Sequence, residues 1–459
     1  MNIYIHMEVS VRELDSKLLL AVIAAAKGHN VLISDLPSII TGLKTGLLSP
    51  GIFHTKSLTP GNTKISRHQE IINNGSIISS IDEEGGLIDY GYEKFAKTRY
   101  SNKTINQASM IFTWGMEDTK TLKRIYPQNS SKIFMTGSPR ADLWKPFFKN
   151  YWQETQKINK KKFLLFSSNL SIANNLPSRS FYENIKLLKG GGYFERDLNL
   201  FSNLFGLASE EYKMTLSFIN AIKYLSKNNK GYDIIVRPHP AENIESWRLY
   251  LKNVPNVYVI REGSISAWVE RAFAVMHHDC TTGIEALISR KHVITYNPFK
   301  RKYTRKLANQ IGQQASTLEE LLKIVNSSFE NTNHQDYKTT FLHVPKKIKK
   351  KIYLDKGELA AEKIVAEWEK FSLNKLSKPS NWTVFRWRLK ILRTRSQVRE
   401  ILKILNKDRK EASKENDKFA DFKINDIVNK VNKLKKLLKI KNKIKCQLIS
   451  DRTVLIRKS

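Results

Sequence analysis

Residues 1–34 read MNIYIHMEVSVRELDSKLLLAVIAAAKGHNVLIS. Asn2–Met7 is a short β-type run, Arg12–Lys27 has helical length and composition, Gly28-His29-Asn30 stops it, and Val31–Ser34 begins a second strand. This order predicts two parallel strands joined by a crossover helix, since parallel neighbours need a connection of about a dozen residues or more. The run Leu18–Ala26, followed by small residues, superficially resembles a secretory leader. Glu8, Glu13 and Asp15 precede it instead of a basic segment, and it is far shorter than the roughly 20 residues that span a bilayer. It is read as a buried helix.

Working outward, the same cycle continues with strand-like runs at Ser76–Ile81, Met110–Thr113 and Ile133–Thr136, which makes residues 1–150 one doubly wound α/β unit. A lysine-rich segment, Lys157–Lys162, leads into the apolar run Phe163–Ser168. Further strands are expected at Tyr232–Arg237, Val257–Ile260, Ala272–Met276 and His292–Tyr296, with helices such as Glu211–Lys227 and Thr282–Ser289 between them. A second α/β domain is therefore expected over 160–330. Glu358–Phe371 forms a strong helix, within 355–372, that returns across the domains. No internal repeat is evident.

The chain of 459 residues suits two domains plus an extension, and its 41% hydrophobic and 26% charged residues exclude a disordered composition. Its 78 Lys+Arg against 43 Asp+Glu give a net charge of +35, which predicts an anionic partner and says nothing of fold. Two cysteines, Cys280 and Cys446, exclude a disulfide framework and a CxxC-type metal site, and point to a reducing, cytoplasmic setting.

Residues 381–459 differ in character: 24 basic against 8 acidic residues place about +16 there. Ile424, Ile427, Val431, Leu434 and Leu438 recur at helical spacing among lysines, and Trp382, Phe385 and Trp387 alternate with Arg386, Arg388 and Lys390. A basic α-helical extension is expected, peripheral at the inner face of the cell membrane on anionic lipid, or packed on the body or a partner helix.

Three constellations carry chemistry. Arg237-Pro238-His239-Pro240 ends a strand, placing a guanidinium and an imidazole at the carboxyl edge of a sheet, where ligands of open α/β sheets bind. The prolines arrest the strand and hold both groups in a loop, the arginine suited to a phosphate through two parallel charge-assisted bonds. The second, His277-His278-Asp279-Cys280-Thr281-Thr282-Gly283-Ile284-Glu285-Ala286, joins a strand to a helix. Thr281, Thr282 and Gly283 offer hydroxyls and helix-start N–H groups to an anion, and Glu285, one turn inside, suits a ribose or sugar hydroxyl. The alternative is an ordinary helix cap. His277 and His278 point oppositely on an extended segment and make a poor metal site. The third, Asp82-Glu83-Glu84-Gly85-Gly86, ends a strand of the first domain: mutual repulsion of its carboxylates is expected to raise a pKa toward general-base duty, and its glycines to admit a ligand. An acidic surface turn is the other reading.

Arg12-Glu13-Leu14-Asp15, the Asp-Glu-Glu-Gly turn, Thr136-Gly137-Ser138-Pro139-Arg140-Ala141-Asp142, Ser168-Asn169-Leu170-Ser171-Ile172-Ala173-Asn174, Arg237-Pro238-His239-Pro240 and Cys280-Thr281-Thr282-Gly283-Ile284-Glu285-Ala286 follow one another in an order that resembles the bacterial surface carbohydrate biosynthesis protein family. That family is similar to GT-B glycosyltransferases and, more distantly, to capsule Kdo transferases, polysialyltransferases and CDP-glycerol phosphotransferases. The resemblance covers about residues 1–370. It departs at His278-Asp279, where Asn-Gly is expected, and at Ser138, where Asn is expected.

The resemblance implies two Rossmann-like domains facing a cleft. Arg237, His239, Thr281, Thr282 and Gly283 would hold a donor phosphate, Glu285 a ribose, and Glu83 or Glu84, beside Asp82, would serve as base or nucleophile. It implies sugar transfer from a nucleotide donor, first a CMP-activated acidic sugar such as Kdo and second a UDP-sugar, to a glycan or lipid-linked acceptor. Neither metal nor cofactor is expected, since no DxD-like pair lies near these turns. A nucleotide-sugar 2-epimerase, a CDP-polyol phosphotransferase and a nucleic-acid-binding protein are the alternatives. Nucleic acid is not the expected partner, because the basic tail carries no recognisable RNA or DNA module.

Overall fold

The computed structural model describes residues 1–87, 91–155, 161–176, 180–190, 199–303, 307–330, 344–354, 357–371, 379–405 and 420–459. They divide into two compact units, Met1–Leu143 with Lys346–Ser459, and Trp144–Pro345.

In the first unit six parallel strands, β1 (Asn2–His6), β2 (Asn30–Ser34), β3 (Ile52–Thr55), β4 (Ile77–Ile81), β5 (Met110–Thr113) and β6 (Ile133–Met135), lie in the order β2-β1-β3-β4-β5-β6. Strand order reverses at β1, so the carboxyl ends of β1 and β3 flank the point where such sheets bind ligands. The crossover from β1 to β2 is α1 (Ser10–Ala26), buried continuously from Ser16 to Ala25. A helix apolar all round must be covered all round.

The second unit contains β7 (Phe163–Ser167), β8 (Asp233–Arg237), β9 (Val257–Val259), β10 (Ala274–His277), β11 (His292–Tyr296) and β12 (Gln313–Ala315), all parallel, in the order β12-β11-β10-β7-β8-β9. This is the dinucleotide-fold order 3-2-1-4-5-6 read from the other edge, with its switch point between β7 and β10. Leu164, Phe166, Ile234, Val236 and Met276 form the sheet's share of the core against Met214, Phe218, Ile222 and Leu225 of the long helix Leu200–Lys227. Two short helices, α2 (Ile265–Arg271) and α3 (Thr281–Ile288), precede and follow β10.

The C-terminal segments explain the burial of α1. Helix α4 (Ala360–Glu369) packs on α1, with Trp368 Nε1 donating to Ser79 Oγ at 2.9 Å and Lys27 pairing with Glu369 at 2.6 Å. The expected return helix thus belongs to the first unit. The tail contains the expected helices, α5 (Trp382–Leu405) and α6 (Ile424–Leu437), but 381–459 is not helical throughout. Strands β13 (Ile444–Ser450) and β14 (Thr453–Lys458) form a hairpin whose second strand pairs antiparallel with β2, Ile456 opposite Val31 and Val454 opposite Ile33.

The alternation in Lys443-Ile444-Lys445-Cys446 is that of an edge strand blunted by lysine rather than of a helix. Phe385 and Leu389 of α5 enter the first unit's core, where a Cβ on Gly42 would strike Phe385 at 2.7 Å. The α6 stripe, Ile427, Val431 and Leu434, is buried against α1 and β13, and Lys430 pairs with Asp15 at 2.7 Å. The lipid reading of this helix is therefore corrected: protein covers its apolar face.

Candidate functional site

Loops after β7, β8 and β10 meet at the carboxyl edge of the second sheet. Asn169 Nδ2 donates to the Asp279 carbonyl at 2.9 Å, joining the β7 and β10 loops. Asn174 and Asn243 exchange bonds at 3.0 Å, joining those of β7 and β8.

Glu242 organises the Pro-His-Pro turn. It is fully buried, and Oε1 accepts from Ser168 Oγ at 2.8 Å, Leu170 N–H at 3.0 Å and His239 N–H at 3.1 Å, while Oε2 accepts from Trp247 Nε1 at 2.8 Å. Arg261 donates to the carbonyls of His239 and Glu242 from the other side. Half-buried His239 accepts the Ala241 N–H on Nδ1 at 3.2 Å, which in the neutral ring puts the proton on Nε2.

Arg237 departs from expectation. Its guanidinium is buried and donates to the carbonyls of Glu262 and Gly263, the latter at 2.8 Å, 5.3 Å from the centre of the Trp268 ring. Burial, reinforced by Arg261, lowers its pKa to about 10. The fork expected to stand open in the loop instead ties β8 to the segment before α2. Glu285 reaches that same segment: buried, it accepts from Ser266 Oγ. The two motifs thus converge through residues 262–266.

At the start of α3 the N-cap residue is Cys280, whose side chain makes no cap hydrogen bond. Burial raises the Cys280 pKa and keeps it a thiol. Thr281 is half-buried, whereas Thr282 is buried and its Oγ1 accepts from Ser167 Oγ at 3.2 Å and Cys280 Sγ at 3.3 Å, so its hydroxyl serves the sheet edge. Asp279 adopts φ 54°, the left-handed conformation that the expected glycine would take most easily and that aspartate tolerates. His277 and His278 both turn to β11, with His277 Nε2 3.1 Å from Thr295 Oγ1 and His278 Nδ1 3.0 Å from the Tyr296 carbonyl.

Gly283 has a packing reason: a Cβ there would fall inside van der Waals contact with the His277 imidazole. Gly283→Ala should therefore cost about 1–3 kcal/mol by overpacking, read as a lower urea midpoint at unchanged slope. An unchanged midpoint would mean that His277 gives way freely.

In the first unit the three acidic residues face three cations. Asp82 accepts from Arg99 Nε at 2.8 Å and Nη2 at 3.1 Å, Glu83 pairs with Lys17 of α1, and Glu84 pairs with Arg12 at 3.1 Å. Burial raises the Asp82 pKa, whereas for Glu83 the same burial is outweighed by Lys17, then Arg140 and Arg12, and its pKa falls below the ordinary range. The expected mutual repulsion is thus replaced by pairing, because α1 delivers Arg12 and Lys17 to the carboxyl edge. Only Glu84 is appreciably exposed, its side chain 40% accessible. Gly85 and Gly86 admit Trp114 rather than a ligand; a Cβ on Gly86 would lie 2.7 Å from that ring.

Sequence reasoning left several groups here without a role. Glu13 is fully buried and accepts the Glu8 N–H at 3.0 Å, with Arg12 and Lys56 each at 3.5 Å. Lys64 Nζ donates to Ser57 Oγ at 2.8 Å and Thr59 Oγ1 at 2.7 Å, and burial, with Arg99 nearby, lowers its pKa to about 8. Charges at a helix start ordinarily read as a solvated face; only the position of α1 over the switch point turns them inward.

No family model matches the chain. No curated protein matches it either. Among solved structures, it is similar to UDP-GlcNAc 2-epimerase from Neisseria meningitidis bound to UDP-GlcNAc, at 13% identity over 81% of this chain and 100% of that one, TM-score 0.45. A second is UDP-GlcNAc 2-epimerase from Methanocaldococcus jannaschii, at 12% identity over 81% and 99%, TM-score 0.46. The wall teichoic acid polymerase TagF is similar at 12% identity over 70% of this chain and 71% of that chain, TM-score 0.40.

Proposed function

We propose that this chain is a cytoplasmic GT-B-like enzyme that transfers a sugar from a nucleotide donor to a glycan or lipid-linked acceptor in surface polysaccharide synthesis. The observation that carries the reading is the switch-point edge of the second unit, where the β8 loop carries half-buried His239 and the β10 loop runs into a helix whose first residue, Thr281, is half-buried and whose N-cap makes no side-chain hydrogen bond. Helix-start N–H groups and the Nε2 proton of His239 suit a diphosphate or phosphodiester, whose charge grows as the nucleotide departs. Glu285, expected at a ribose, is buried and accepts from Ser266 Oγ, and so braces the 262–266 segment beside this edge. Arg237 positions the 262–266 segment and adds positive potential. In the first unit Glu84 takes the role of base, Asp82 and Glu83 being held by Arg99 and Lys17. A CMP-activated acidic sugar is the first donor and a UDP-sugar the second.

A second reading, a nucleotide-sugar 2-epimerase, uses the same donor edge. It is favoured by the burial of Asp82 and Glu83, which are 2% and 5% exposed and thus withdrawn from an acceptor hydroxyl. Conversion of UDP-GlcNAc without any acceptor would select it.

Thermal unfolding with CMP, CDP, UDP and GDP tests the donor edge. A nucleotide at about 100 times its Kd stabilises by roughly 2.7 kcal/mol, and the reading expects this for CMP or UDP on the wild type, with at least a tenfold weaker Kd in His239→Ala. If no nucleotide shifts the wild type, or His239→Ala responds equally, the donor edge is misassigned.

A further inference from the structure

Over its described side chains, 382–395, helix α5 has two apolar faces, and only one of them is covered among the described residues. Phe385 and Leu389 are buried in the first unit with Leu392 partly buried beside them, whereas Val384, Trp387 and Ile391 are 45%, 60% and 47% exposed. Their spacing of three and four residues aligns them in one stripe, roughly opposite the buried face at 3.6 residues per turn. Arg388 and Arg395 flank the stripe on one side, Arg386 and Lys390 on the other, and all four are exposed. Among the described residues no acidic side chain pairs with Arg386, Arg388 or Arg395, and Lys390 Nζ lies 5.4 Å from the centre of the Trp387 ring. Arg393, nearer the body, is the cation neutralised locally, by Asp421 and Asp451. No acidic residue occurs between Trp382 and Arg395.

We infer that this outer face of α5 docks the enzyme on an anionic lipid surface, the helix lying in the interface plane. Charge complementarity decides the occupant. The arginines suit phosphate headgroups, while Trp387, Val384 and Ile391 enter the acyl boundary, where tryptophan is favoured. Nucleic acid would satisfy the cations but leave Val384 and Ile391 in water, and a basic helix of a second copy would meet like charge. Among the described residues no helix is long and apolar enough to cross a membrane, so the contact is one of surface adsorption. Of the two tail helices expected to meet lipid, α6 is set aside because its stripe is buried, and α5 is retained. It stands independently of the donor assigned above.

The test is co-sedimentation of the full chain with vesicles of phosphatidylcholine alone and with 30% phosphatidylglycerol at low and physiological salt. Binding is expected only to the anionic vesicles and to weaken with salt. Each basic residue near such a surface is worth about fivefold in partitioning, so Arg388→Glu/Arg395→Glu should lose more than about 20-fold, and Trp387→Ser about tenfold. All three positions are exposed, and unchanged unfolding midpoints would show the fold intact. Equal binding by the variants, or no binding by the wild type, overturns the proposal. Concentration-dependent dimerisation abolished by Trp387→Ser would assign the stripe to a second copy, and variant-sensitive binding to single-stranded nucleic acid without vesicle binding would assign it there. The nucleotide-induced thermal shift is read separately, so failure of lipid docking leaves the donor edge untouched.

Discussion

Glu242→Ala should destabilise the second unit by about 4 kcal/mol, because it strips one acceptor from four donors at once, each unsatisfied donor costing about 1–3 kcal/mol before relaxation. The Ser168 hydroxyl, the Leu170 and His239 amides and the Trp247 indole N–H all end on this carboxylate, and the side chain is fully buried. Since a domain is stable by only about 5–15 kcal/mol, such a loss removes much of the margin. Glu242→Gln keeps the shape and one carbonyl oxygen but turns an NH2 group toward a donor, so it should fall between, at about 2 kcal/mol. Urea unfolding orders the three proteins. A Glu242→Ala midpoint indistinguishable from wild type would mean that water or a rearranged loop replaces the carboxylate. The consequence reaches the site through His239, whose backbone N–H is one of the four donors. With that tether gone the Pro-His-Pro turn loses its fixed register, and the proposed donor edge should bind nucleotide more weakly in the Gln variant.

The parallel core was legible because its strands are short continuous apolar runs bounded by glycine or polar turns, as Phe163–Ser167 and His292–Tyr296 illustrate. Strand β3 escaped because Ile52-Phe53-His54-Thr55 is half polar, and β12 because Gln313-Gln314-Ala315 has no apolar period. In both, pairing within the sheet overrides local composition. The hairpin β13–β14 escaped for a different reason: lysines of an edge strand and lysines of a solvated helix look alike until the partner strand is known. Arg237, His239, Thr281 and Glu285 were locatable from strand ends and a helix start. What their side chains touch was not, since Glu262, Gly263 and Ser266 carry no motif of their own. Glu242 lay two residues beyond a recognised motif and still gave no signal, because a glutamate in a polar turn reads as solvated.

Lys17 and Glu83 form the other point where a single substitution should act strongly. Their side chains are 1% and 6% exposed, so either partner alone is a buried uncompensated charge. Lys17→Met and Glu83→Gln should each cost about 3–5 kcal/mol, whereas the double variant, which removes both charges, should return to within about 1–2 kcal/mol of wild type. The coupling in the cycle, the two single losses summed less that of the double variant, is then at least about 4 kcal/mol. Additive losses would mean that each residue acts through other neighbours.

Each group's pH dependence has a definite sign. Glu83 is held below the ordinary carboxylate range, so its stabilisation is complete above the unfolded value of about 4.3 and is lost as pH falls through the lower folded value. Asp118, raised to about 7 by burial, works the other way: its contribution is full below its unfolded value and disappears as pH rises through about 7. Asp82, raised by burial, has the same sign as Asp118. Against them, the imidazoles of His6, His54 and His68, held below their ordinary range by burial, remove stability as pH falls below about 6.5. The two signs therefore oppose one another between about pH 7 and 5, and in Lys17→Met/Glu83→Gln the acid limb below about 4 should be shallower while the limb near neutrality stays. Unfolding midpoints from pH 8 to 3 separate the two limbs. An unchanged acid limb in the double variant would remove Glu83 as its source. A shallower one would establish that Glu83 stays ionised against Lys17 at neutral pH.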